Sequence, residues 1–188
     1  MQQNNPIMSY HTSKKLPYGV SNFITIVEQN NYYVDKTMYI PMLEDEASNL
    51  FFIRPRRFGK SLFLGMLHAY YDCRTKDKFE QWFGKLWIGQ HPTPNQGRYQ
   101  VLHLDFSQVG GKIEKLEENF DFYLGINLDG FVRDYAEYYS EETRKKVYET
   151  KYAGGKLAII QNEARTKNYP LYLIIDEYDN FTNTVLNE

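Results

Sequence analysis

The chain has 188 residues, 22 Lys and Arg against 24 Asp and Glu, and a formal net charge of −2. That length holds one domain with a sizeable core and not two, and the balanced charge excludes the overall basic character of a dedicated nucleic-acid binder, leaving only a local patch for such a role. A lone cysteine, Cys73, excludes an internal disulfide and fits a reducing compartment; with no apolar leader and no run long enough to span a bilayer, a cytoplasmic protein without a membrane segment is expected.

Residues 1–15, rich in Gln and Asn, read as a disordered tail, and residues 16–188 as one domain. Leu16–Gly19 reads as a turn. Ser21 is placed to cap a short helix whose apolar face is Phe23, Ile24, Ile26 and Val27, closed by Asn30 and Asn31. Tyr32–Val34 has the composition of a short strand. Asp35 or Thr37 then caps a helix through Leu43, and Ser48-Asn49 ends that pattern. Leu50–Ile53 is a continuous apolar run of the kind found in strands buried on both faces. After the loop 54–59, Lys60–Cys73 is apolar almost all round, predicting a central buried helix that ends on an inert structural cysteine.

Asp77–Phe83 suggests another short helix, and 90–98, with two prolines and a glycine, a loop. Val101–Phe106 predicts a second buried strand, followed by a long helix over 113–139. Ser140 with Glu141 and Glu142 is an N-terminal cap for the next helix. Gly154-Gly155 predicts a break before a further helix to about Lys167. Leu171–Ile175 predicts a third strand, ending on Asp176-Glu177. Strands alternating with helices give an α/β fold with a mainly parallel sheet. The 17 Tyr and 12 Phe make an aromatic core in which each tyrosine hydroxyl needs a partner or a wet edge; Tyr135, Tyr138 and Tyr139 belong to that core or to an interface.

The chemistry-bearing stretch is Arg54-Pro55-Arg56-Arg57-Phe58-Gly59-Lys60-Ser61. It sits between a strand pattern and a helix pattern, as a phosphate-binding P-loop must, and its last three residues match G-K-[ST] while Arg54 stands at the first glycine position. Gly59 lets the backbone approach phosphates, the amides of the first helical turn point at the anion, Lys60 reaches the β- and γ-phosphates, and the Ser61 hydroxyl suits Mg²⁺. The candidate nucleotide-binding set is Arg56, Arg57, Phe58, Gly59, Lys60, Ser61 and Leu62. Arg54, Arg56 and Arg57 admit three readings: contacts to phosphate, action across a subunit interface, or pairing with an acid such as Asp105.

A bare G-K-S is weak evidence, but the second motif raises its weight. Open α/β sheets bind ligands at the C-terminal ends of their strands. There Asp176 is placed to hold Mg²⁺ together with Ser61, and Glu177 to polarise an attacking water, with Lys60 as the other catalytic residue. Strand alternation would send these two acids to opposite sides. The histidines show no metal-ligand spacing, so His68 and His103 are expected as satisfied core residues.

The string FFIRPRRFGKSLFLGMLHAYYD resembles the AAA-ATPase-like family of bacterial proteins, whose P-loop reads R-P-R-R-F-G-K-S-L. YYVDKT at 32–37, VLHLDFS at 101–107 and YPLYLIIDEYD at 169–179 extend the resemblance from about Leu16 to the end, and Arg54 in place of glycine is that family's own habit. The resemblance implies a P-loop three-layer sandwich of the additional-strand catalytic-glutamate type, with ATP and Mg²⁺ as ligands and Lys60, Ser61, Asp176 and Glu177 in the roles above. It places Tyr33–Thr37 near the adenine. It also implies that the strand between the P-loop and Walker B strands follows Walker B in sequence, so a chain ending nine residues past Asp179 is expected to be truncated, with a gap in its sheet and unpaired edges. Family members often carry a nuclease domain further along, a region this chain lacks; that domain or another protein is the expected partner, and an oligomer is compatible. The function expected is an Mg-dependent ATPase that switches or drives a partner or a C-terminal domain. The alternative is a nucleotide-dependent interaction module without turnover, in a defence or mobile-element system. A P-loop kinase ranks last.

Overall fold

The computed structural model describes residues 14–46, 49–53, 55, 57–168 and 170–179. The predicted tail, apart from Lys14 and Lys15, lies outside the described residues, as do Ser48, Arg54, Arg56 and Tyr169. The element order is α1 (Phe23–Glu28), α2 (Ile40–Asp45), α3 (Lys60–Tyr71), α4 (Phe79–Phe83), α5 (Trp87–Gln90), β1 (Gln100–Asp105), α6 (Leu116–Asp134), α7 (Glu141–Glu149), α8 (Ala153–Thr166) and β2 (Leu171–Asp176), with short 3-10 turns between several of them.

The two strands pair in parallel, from Gln100 opposite Leu171 to Asp105 opposite Asp176. Parallel neighbours need a long crossover, and α6, α7 and α8 supply it. Side chains alternate along each strand. Val101, Tyr172 and Ile174 pack into one apolar cluster with Phe23, Ile40, Met66, Tyr70, Tyr71 and Phe83, that is, with α1 to α4. Leu102, Leu104 and Leu171 pack into a second cluster with Leu128, Phe131, Val132, Val147 and Ile160 of the crossover helices. Helices therefore cover both faces of β1. The class is α/β, as the alternating pattern predicts, although the sheet is small and the molecule mostly helical.

The buried tyrosines meet their polar demand. The Tyr135 hydroxyl accepts from the backbone N–H of Val101 at 2.8 Å, the Tyr71 hydroxyl donates to Glu44 at 3.0 Å, and the Tyr70 hydroxyl accepts from the N–H of Thr93 at 2.8 Å. Cys73 is buried, as expected. At α7 the Ser140 hydroxyl accepts from the N–H of Thr143 at 3.1 Å, with Glu141 and Glu142 in the first turn, which is the predicted cap.

Other expectations need correcting. Leu50–Ile53 forms no strand. A strand exists only where its N–H and C=O groups find a ladder, and this segment pairs with neither β1 nor β2. Phe51 and Ile53 are 81% and 80% exposed, and Phe52 stacks on Phe63 of α3 at 4.9 Å between ring centroids. Tyr32–Val34 likewise lacks a ladder. Asn22, not Ser21, caps α1, its side chain accepting from the N–H of Thr25 at 2.9 Å. The 77–83 segment divides into a 3-10 turn over Cys73–Lys78 and then α4. Gly154 and Gly155 do not break a helix but open α8, and the break falls earlier, at 150–152. Glycine is tolerated in a first turn, where few backbone bonds depend on it.

Candidate functional site

α3 begins in a way that leaves its N-terminus open. Gly59, with φ 78°, sits in the left-handed region where a Cβ is penalised, and among the described residues no side chain caps the turn. The first N–H groups of a helix have no partner within the helix, so this end presents uncapped donors and the positive end of the helix dipole. Arg57, Phe58 and Gly59 form the exposed turn leading in; Lys60, Ser61 and Leu62 form the first helical turn, where Leu62 packs against the core. Arg56 lies outside the described residues.

The fold brings the two predicted motifs together. The Lys60 ammonium lies 3.1 Å from Asp176 Oδ1 and 3.3 Å from Glu177 Oε1. The Ser61 hydroxyl is hydrogen-bonded to the Asp176 carboxylate, and the Glu177 N–H donates to Asp176 Oδ1 at 2.9 Å. Burial works against the charge on Asp176, but the hydrogen bonds from Ser61, Lys60 and the Glu177 amide outweigh it and hold the carboxyl below the usual range. Burial likewise opposes the Lys60 charge, yet the two acids push its pKa upward. Lys60, Ser61, Asp176 and Glu177 are thus one hydrogen-bonded group at the C-terminal end of β2 and the N-terminal end of α3.

Asp176 and Glu177 do not point apart. Alternation holds only while the backbone stays extended, and Glu177 leaves the strand at φ 52°, which swings its carboxylate back to Lys60. A left-handed non-glycine residue is sparsely populated and persists only when its surroundings hold it; here the Lys60 ion pair does so.

Asp105 is the register partner of Asp176, so the ends of both strands carry a carboxylate. Its side chain accepts from the N–H of Ser107 at 2.9 Å, capping the turn that follows β1. In the 33–37 segment, the Asp35 carboxylate accepts from the N–H and hydroxyl of Thr37 and from the N–H of Trp87. The buried Thr37 hydroxyl in turn accepts from the N–H of Ile88. These polar groups pin the segment to α5.

A cleft of about 850 Å³ runs from Ser61, Asp176 and Glu177 along α3 to His68, Asp72 and His103. Ser61, Gly65, His68 and Asp72 recur at helical spacing and line it together. Nothing lies within 4 Å of where a Gly65 Cβ would stand. Gly65→Ala is therefore expected to stabilise the chain by about 0.5–1 kcal/mol through helix propensity alone, read as a higher midpoint in urea unfolding with an unchanged slope.

His68 and His103 are half-buried. Sequence reasoning missed that they meet, with their Nδ1 atoms 3.4 Å apart. Only the register of β1 against α3 shows it, and two lone histidines 35 residues apart carry no signal of that register.

Among known proteins, a family model described as "Predicted AAA-ATPase" matches residues 17–188. A protein of Azotobacter chroococcum mcd 1, described as "Uncharacterized protein in vnfD 5'region", is 51% identical over 119 residues, which cover 60% of this chain and 22% of that protein. The chain thus spans about a fifth of the length of that relative. No solved structure matches.

Proposed function

The chain belongs to the AAA-ATPase-like family that this model describes, and from that premise we propose that it is the ATP-binding part of an Mg-dependent ATPase. One observation carries the reading: Lys60 and Ser61, at the uncapped N-terminus of α3, are bonded to Asp176 and Glu177 at the end of β2. No structural demand requires a lysine and two carboxylates to converge at an open helix end, whereas a nucleoside triphosphate with its metal uses every one of them.

The residues fit those ligands. The backbone donors of the first turn of α3 and the Lys60 ammonium match phosphate oxygens, and the Ser61 hydroxyl with the Asp176 carboxylate is a hard oxygen pair of the kind Mg²⁺ takes. When bound, Mg²⁺ neutralises charge on the β- and γ-phosphates. The chain's own contributions are distinct: Lys60 leaves the carboxylates for the phosphates, Asp176 orients, and Glu177, freed of Lys60, accepts a proton from water. Arg57, Phe58 and Gly59 form the phosphate-side turn in this reading, with Arg56 beside them in sequence, and Tyr33–Thr37 lies toward the base. The finer roles, a three-layer P-loop sandwich and action as a switch for a partner or C-terminal domain, belong to the same proposal. The exposed apolar side chains of Phe51, Ile53 and Leu173 support action against a further protein segment.

Thermal unfolding with and without nucleotide tests the reading. Mg·ATP is expected to raise the melting temperature in a concentration-dependent way, and EDTA to reduce the shift. Absence of any shift with ATP, GTP or ADP at millimolar concentration overturns it.

A further inference from the structure

A second pocket, of about 270 Å³, lies at the other end of the sheet, lined by Cys73, Lys76, Arg98, Lys167 and Asn168 among others. Arg98 stands two residues before β1, and Lys167 and Asn168 stand just before β2, so the pocket adjoins the N-terminal ends of both strands. Asp105 and Asp176 mark the C-terminal ends, about 17 Å away along six-residue strands. Lys76 enters from the 3-10 turn that follows α3.

The charge around this pocket is one-sided. Among the described residues no carboxylate lines it, and Lys76, Arg98 and Lys167 form no ion pair. Asp77, next to Lys76 in sequence, faces Lys78 instead at 4.0 Å, and the one bond made by the Arg98 side chain goes from Nη1 to the neutral Asn95 Oδ1 at 3.4 Å. Burial raises the Cys73 pKa, so the thiol in the wall stays neutral and supplies no counter-charge. The chain nevertheless brings these cations together. Gly97, at φ 59°, lets the turn before Arg98 press against Lys76: a Cβ there would stand 2.9 Å from Lys76 Cβ and Cγ. Asn168, at φ 60°, turns the chain beside Lys167. Like charges gathered around one cavity repel, and an anion removes that cost.

We propose that this pocket is an anion site that takes one phosphate group, either free phosphate or a phosphodiester of a nucleic-acid backbone. It does not rest on the nucleotide reading, because it shares no residue with the Lys60–Glu177 group. The pocket is smaller than the roughly 300–1,000 Å³ that encloses a drug-sized molecule, which suits a single small group. The cations come from three separate segments. A phosphate offers oxygens on every side to such a set, with the Arg98 fork as its strongest partner, whereas a planar carboxylate meets fewer of them.

Amide NMR of the chain tests the site, with ionic strength held constant by sodium chloride. Inorganic phosphate is expected to give saturable shifts at Gly97, Arg98 and Asn168, and residue-resolved signals separate these from any response at the start of α3. Arg98→Gln is expected to weaken the response about tenfold, and Lys76→Gln and Lys167→Gln about threefold each. All three side chains are exposed, so the melting temperature should hold. A single-stranded oligothymidylate distinguishes the sources. Saturation of the same amides at a tenfold lower concentration, with a salt slope that falls by about 0.7 for each cation removed, identifies a nucleic-acid backbone. Phosphate binding without that gain identifies the free anion. Amides that stay unmoved by both probes overturn the proposal. So does a response that acetate matches, or one that is unchanged in Arg98→Gln and Lys167→Gln.

Discussion

Lys60→Ala is expected to abolish the rise in melting temperature given by Mg·ATP while leaving a folded chain. Lys60 is the first residue of α3, its partners are the Asp176 and Glu177 carboxylates, and alanine keeps the helix start with the higher helix propensity. The lost partners are two carboxylates. Asp176 keeps its bonds from Ser61 and the Glu177 amide, and Glu177 is half-exposed, so the unliganded chain should lose about 1–2 kcal/mol. Against that small change, the nucleotide loses its strongest cationic contact, and repulsion from Asp176 and Glu177 is no longer offset. Affinity is expected to fall at least about a hundredfold, since charge-assisted bonds to phosphate are the strong ones and the site holds two uncompensated acids once Lys60 is gone. Isothermal titration calorimetry in Mg²⁺ reads the effect. A variant that binds within threefold of the native chain would remove Lys60 from the site.

The same residue shows how much of the site was legible in the sequence. Lys60 and Ser61 are adjacent to a glycine whose φ demands glycine, and Asp176 ends an apolar run; both signals are local, and both survive folding. Their meeting is not local. It follows from a parallel pairing that puts β2 beside β1 and from α3 packing over that pair, and it was reached from the sequence only through the rule that α/β sheets bind ligands at strand ends. The direction of Glu177 was not legible, because a two-residue alternation rule fails at the first residue with positive φ. The strand at 50–53 was misread for a related reason. Apolar composition reports a buried environment, but a strand also needs a neighbour of the right register, and the described residues supply none. Asp35 and Thr37 carry another lesson: the sequence reads either as a cap for the next helix, and their described bonds both close the turn at Thr37 and hold α5 in place.

Asp72→Ala is expected to cost about 3–5 kcal/mol, the loss typical of removing one partner from a buried ion pair. The side chain is 1% exposed. Its oxygens accept from the Arg74 amide at 2.9 Å, from the Arg74 guanidinium at 2.9 and 3.2 Å, and from His68 at 3.3 Å. Asp72 ends α3 at an extended backbone, and its partner Arg74 lies over the ring of Tyr135, the residue that closes α6. It therefore sits where the cluster under α3 and the cluster under α6 to α8 join, and removing it strands Arg74 over the Tyr135 ring with only the distant Asp134 at 3.7 Å. For a domain of this size the melting temperature should fall by roughly 10 °C. The pH dependence gives an independent reading of the same group. Burial opposes its charge, but His68 and Arg74 overcome that and hold its pKa at about 2, against 3.8 in an exposed carboxyl. The stabilisation is present above 3.8 and is lost as pH falls toward 2, a contribution of about 2 kcal/mol. In the native chain, then, acid unfolding should steepen between pH 4 and 2, and Asp72→Ala should remove that acid step along with the stability. Unfolding curves at fixed pH values from 8 to 2 read that step, and an alanine variant within 1 kcal/mol of the native chain at neutral pH would show that Asp72 does not join the two clusters.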